Sequence, residues 1–149
     1  MDIDTLISKG IAYGLIDRDD LVGYSEVELE NLRQCQGVEK IPDQFQDFLK
    51  RMGKSNSKIV DCPFMNIYTY EEVKSVFLRE KYDPFTMSLF PVRDSFVFLY
   101  APDGLVFFLI VSKEESRVYV YEFGVDILRS HDSSFFDFFD SYLESYRLK

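Results

Sequence analysis

The chain holds one histidine, His131, beside Asp132, Ser133 and Ser134, the residue types of a nucleophile, its base and an orienting carboxylate. A working triad is assembled in space from separate segments. Four neighbours just ahead of an aromatic helical pattern read instead as a helix N-cap cluster, whose short oxygen-bearing side chains satisfy free amides. A thiol–imidazole pair of Cys62 with His131 has no flanking motif at either residue. Asp17, Asp19 and Glu28 match the first, third and twelfth positions of a calcium loop, but Leu21 and Val22 stand where that loop needs an oxygen ligand and a glycine. Gly10, Gly14 and Gly23 are scattered and form no phosphate loop. The sequence marks no catalytic residue, no cofactor and no metal-ligand set.

The elements that would position any contact surface are better marked. Ser25 and Glu28 have the spacing of a capping box, Val27, Leu29, Leu32 and Cys35 recur at helical intervals, and Gly37 supplies a left-handed stop. A second helix follows from Pro42 to Gly53, with Phe45, Phe48, Leu49 and Met52 on one stripe. Ile7, Ile11 and Leu15 predict an earlier helix over 5–16 despite Gly10 and Gly14. Thr69 and Glu72 read as another capping box, opening a helix to about Lys81 with Val73, Val76 and Phe77 inside.

From residue 87 the period becomes that of strands, over 89–92, 95–101, 105–112 and 117–123, with Pro102-Asp103-Gly104 as a hairpin signal. The apolar run 105–111 does not alternate, which makes it a central strand buried on both faces. A closing helix carries Phe135, Phe138, Phe139, Tyr142 and Tyr146 on one arc and Asp137, Asp140 and Glu144 on another. The expected fold is therefore α+β: a mainly antiparallel sheet of four or more strands with helices packed around it.

At 149 residues the chain has the length of one domain, and 46% hydrophobic with 29% charged residues suits a globular core, much of it built from 15 Phe and 10 Tyr. No apolar run approaches the roughly 20 residues of a membrane helix, and the acidic start does not resemble a signal peptide, so a cytoplasmic protein is expected. Cys35 and Cys62 give no disulfide framework. The net charge of −9 argues against direct nucleic-acid binding, which rests on Lys and Arg. The excess is concentrated at the ends, with eight acids and two bases in residues 1–30 and five acids and one base in 126–146. Such a surface promotes solubility and also steers a protein toward a basic partner.

Two blocks carry a family resemblance. The run from Ser25 to Arg33, then Gly37, Ile41-Pro42, Phe45 and Phe48-Leu49, resembles the opening of the SUKH superfamily. Residues 133–143, Ser-Ser-Phe-Phe-Asp-Phe-Phe-Asp-Ser-Tyr-Leu, look like the Ser-Phe-x-x-Phe-Leu closing helix of such proteins. The superfamily includes fungal regulators of cell-wall synthesis and bacterial immunity proteins that neutralise polymorphic toxins. The resemblance implies one SUKH-like domain over 1–149 and a non-enzymatic role. The expected function is binding and blocking a cognate toxin domain, most plausibly a basic nuclease-type effector, by an acidic, aromatic-studded face. The alternative from the same resemblance is a regulatory scaffold of the fungal cell-wall type, and a small-ligand domain or an enzyme comes third.

Charge and irregular-loop position select the candidate partner-binding residues: Asp61, Tyr68, Tyr70, Glu71, Tyr82 and Asp83 around the third well-marked helix, and Asp137, Asp140 and Glu144 on the last one. Phe64 and Phe85 lie in the same irregular segments. The expected assembly state is a monomer or weak dimer, with no contact to a membrane.

Overall fold

The computed structural model describes residues 1–54, 68–101, 104–113, 116–123 and 127–147. In chain order these form α1 (Ile3–Ala12), a short 3-10 helix (Arg18–Asp20), α2 (Glu26–Gln36), α3 (Asp43–Met52) and α4 (Val73–Glu80). Four strands follow, β1 (Ser95–Ala101), β2 (Leu105–Ile110), β3 (Arg117–Glu122) and β4 (Ile127–Ser134), and then α5 (Phe135–Arg147). The strands pair in sequence order as an antiparallel meander, which makes the fold α+β as expected. Among the described residues no helix is long and apolar enough to cross a membrane.

The first helices end where their capping chemistry dictates. Asp2 caps α1 by accepting from the Thr5 amide at 2.9 Å. The helix stops at Ala12, short of the expected 16, because Gly14 turns left-handed at φ 71° and the chain doubles back, with the Leu15 and Ile16 amides donating to the Gly10 carbonyl. Around α2 the capping box forms reciprocally: the Glu28 amide donates to Ser25 Oγ at 3.2 Å and the Ser25 amide to Glu28 Oε1 at 3.1 Å. Gly37, at φ 67°, closes that helix in the left-handed region. The box expected at Thr69 and Glu72 does not form. Glu72 itself holds the N-cap of α4 without a side-chain bond, and the Thr69 carbonyl takes the Glu72 and Val73 amides.

Two strand boundaries differ from expectation. Residues 89–92 are turns, because Pro91 has no amide to donate and the amides of Phe90, Val92 and Asp94 are taken locally by the carbonyls of Met87, Phe90 and Pro91. Conversely, β4 is a strand without a hydrophobic pattern. It lies at a sheet edge, where one side is wet and Arg129 and His131 stay exposed. The N-cap reading of its end is right for one residue, since Ser134 Oγ accepts the Asp137 amide at 3.2 Å.

The sheet is covered on both faces, with β2 inside it as the unbroken apolar run requires. One face meets α1, α2, α3 and α5 through Phe96, Phe98, Leu109 and Val118. At its centre Phe45 lies 4.6 to 5.5 Å, ring to ring, from Phe135, Phe96, Tyr70, Phe48 and Phe98. The other face meets α4 and the loop after it through Val97, Tyr100, Val106, Phe108 and Tyr121. A register shift between Val97 and Leu99 lets both Phe98 and Leu99 join the first face while Tyr100 serves the second.

The outer edge of β1 is closed by side chains. The Val97 amide donates to Gln36 Oε1 at 2.9 Å, and Gln36 Nε2 donates to the carbonyls of Val97 and Tyr70 at 2.8 and 2.9 Å. Lys74 Nζ donates to the carbonyls of Gln36 and Ser95, each at 2.6 Å. The end of α2 and the start of α4 thereby occupy backbone groups of Ser95 and Val97 to which a further strand could otherwise pair.

Candidate protein-binding surface

The loop between α4 and β1 exposes large apolar side chains on a fixed backbone. It begins where the Lys81 and Tyr82 amides donate to the Phe77 carbonyl, closing the helix. Asp83 then builds the turn: its Oδ1 accepts the Phe85 amide at 2.9 Å and its carbonyl accepts the Met87 amide at 2.7 Å. Met87 and Phe90 are buried, and the Phe90 ring lies 5.0 Å from Phe77 and 4.9 Å from Phe108. Two apolar residues next to these anchors face outward. Phe85 is 93% exposed and Leu89 is 69% exposed.

Tyr82 is half-buried against Phe90, 6.1 Å between ring centres, and Tyr121 donates its hydroxyl to the Thr86 carbonyl at 3.4 Å. The loop is therefore pinned from below at several points while two apolar side chains face solvent. Exposed aromatic groups on a preordered backbone are the usual anchors of protein interfaces, because little conformational entropy is lost when they are covered.

The other expected contact residues divide by packing. Tyr70 is core, edge-on to Phe45, and Tyr68 is half-buried and stacked on Tyr100. Glu71 lies against Tyr24, whose hydroxyl is pushed well above its ordinary pKa by burial and by the Glu71 carboxylate. Asp61, Phe64 and Cys62 lie outside the described residues. The stripe on α5 is split. Asp140 and Glu144 both hold Lys9 of α1 at 2.5 Å, and Tyr13 donates its hydroxyl to Glu144 at 2.7 Å. Those contacts, Lys9 first and then Tyr13, hold the Glu144 carboxyl below its ordinary range, and the same two acids hold the Lys9 ammonium well above its own. Only Asp137 of the three is exposed, Asp140 and Glu144 being half-buried.

Part of the remaining acidic excess is matched within the protein. Asp4 pairs with Arg51, Glu26 with Lys50 and Glu28 with Lys54, tying α1 and α2 to α3, while Arg33 holds Glu30 down at about 2. Asp17, Asp19, Glu39, Asp43 and Asp47 remain exposed. Asp17 serves as the cap of the 3-10 helix, accepting the Asp19 amide at 3.0 Å. Among the described residues no group of three or more His, Cys, Asp or Glu side chains is placed to hold a metal ion. His131 packs its ring 5.3 Å from Phe138 and 5.9 Å from Phe107.

Leu89 was not a contact candidate in the sequence, because its neighbours suggested a strand. The available signal was Pro91, which disfavours a continuous strand through 89–92. Comparison with known proteins finds no matching family model, and neither a curated protein nor a solved structure matches the chain.

Proposed function

We propose that the chain is a protein-binding inhibitor of the SUKH immunity type, a single domain acting in the cytoplasm to cover the working surface of a cognate, basic, nuclease-type toxin without chemistry of its own. The observation that carries this reading is the pinned loop with Phe85 and Leu89 in solvent, beside Tyr82 and Asp83. Exposed acids on the helices add long-range attraction for a basic partner, which raises the rate of encounter. Phe85 and Leu89 would then enter apolar pockets of the toxin and slow dissociation.

The direct experiment is a search of the neighbouring genes for a toxin domain, followed by co-expression of any such domain with this chain. Survival of the cells supports the reading, and killing at full toxin strength despite soluble inhibitor contradicts it. Steering has its own measurement. The association rate should fall as salt rises, and Asp137→Lys should lower it further without disturbing the fold. Asp140 and Glu144 are poorer probes, since reversing them also breaks the contact with Lys9. A rate indifferent to salt removes the electrostatic part of the proposal.

A further inference from the structure

A cavity of about 260 Å³ opens where the end of α2, the outer side of α4 and the residues leading into β1 meet. Lys74, Arg93, Cys35, Ser75, Leu78 and Val92 are among its walls, and no acidic side chain lines it among the described residues. Two cations at one opening stand out in a chain of net charge −9.

Lys74 is only 4% exposed. An ammonium carries three protons, and the Gln36 and Ser95 carbonyls, both uncharged, take two of them. Asp94 is the acid that acts on it from a distance, but the Asp94 carboxylate accepts from the amide and hydroxyl of Ser112. Arg93 is exposed and, among the described residues, has no acid within ion-pair distance. Capping the carbonyl end of α2 accounts for Lys74 alone and leaves Arg93 beside the opening unexplained.

We infer that this cavity is an oxyanion site, taking a carboxylate or phosphate group of a small molecule, with Lys74 at its floor and Arg93 at its rim. A buried cation without a contacting counter-charge is costly, and an anion brought against it recovers part of that cost. Consistent with this, burial pulls the Lys74 ammonium down to about 8. The third Lys74 proton and the guanidinium fork supply charge-assisted donors. The site needs no protein partner and is independent of the inhibitory role.

Cys35 is an exposed free thiol in the wall and serves as the reporter. The full chain is titrated with sodium phosphate and, separately, sodium acetate, against sodium chloride at equal ionic strength. Alkylation of Cys35 is followed by peptide mass spectrometry, which counts Cys62 separately. The expected result is saturable protection of Cys35 by at least one oxyanion, the better of the two identifying the preferred group. Arg93→Gln should weaken that protection about tenfold, the loss of one charge-assisted contact. Lys74→Met should abolish it if the variant folds, and because Arg93 is exposed its variant decides the matter if the other does not. Equal alkylation in chloride, phosphate and acetate overturns the inference, as does protection that Arg93→Gln leaves unchanged.

Discussion

The two faces of the sheet are buried in different ways. The face under α1, α2, α3 and α5 is closed by whole helices, with Phe45 at the meeting point of five other rings. The opposite face is closed by one short helix, α4, and a loop that inserts Met87 and Phe90 while leaving Phe85 and Leu89 outside. Among the described residues the first arrangement leaves Met1, Val22 and Val27 exposed around it but no aromatic side chain. The second withholds two large apolar side chains from the core, and that difference separates residues that hold the fold from residues free to bind.

The comparison is open to attack at several points. The largest effect is expected from Phe45→Ala, which should destabilise by about 3–5 kcal/mol, the range for an aromatic core residue whose neighbours cannot fully collapse into the space. Denaturant unfolding with an unchanged m-value would measure it. A loss under about 1 kcal/mol would mean that this face is not the structural one. Gln36→Ala comes next. It strands the Val97 amide and carbonyl at the edge of β1, for about 1–3 kcal/mol, and should make the first residues of β1 the earliest of the sheet to exchange their amides.

The smallest effect belongs to the contact between α1 and α5. The Glu144 pKa is lowered, so its contribution is whole above its ordinary 4.5 and is lost as pH falls below that. The Lys9 pKa is raised, so its contribution is whole below its ordinary 10.5 and is lost only at higher pH. The destabilisation by Lys9→Met should therefore be constant across the neutral range and shrink as the pH falls below 4.5, as melting temperatures of both proteins would record. A difference that does not change with pH would show that the ion pairs contribute nothing.

How much of this was legible in the sequence follows the same division. The helices of the first face were readable because their signals are local: the box of Ser25 and Glu28, the stop at Gly37, and the stripe from Phe45 to Met52 all lie within one helix and survive into the structure. The second face depends on tertiary choices. Leu89 to Val92 carry strand-forming side chains, but Pro91 and the buried Phe90 turn that segment into an anchor with Leu89 outside. β4 was invisible because an edge strand with Arg129, His131 and serines has no period to read. Asp140 and Glu144 looked like open surface because their partner, Lys9, is more than a hundred residues away in the chain. The candidate site was half legible for the same reason: Tyr82, Asp83 and Phe85 could be picked out as loop residues, but which of them is pinned and which is exposed is decided by Phe77, Phe108 and Tyr121 beneath them.

The measurement closest to the centre of this account is the double variant Phe85→Ser with Leu89→Ser, compared with the unaltered chain for unfolding free energy and for protection of cells that express the proposed cognate toxin. Stability should stay within about 0.5 kcal/mol, because neither side chain is in the core. Affinity for the toxin should fall by about 2 kcal/mol or more, and protection should fail with it. Full protection by a variant that lacks both side chains would contradict the account.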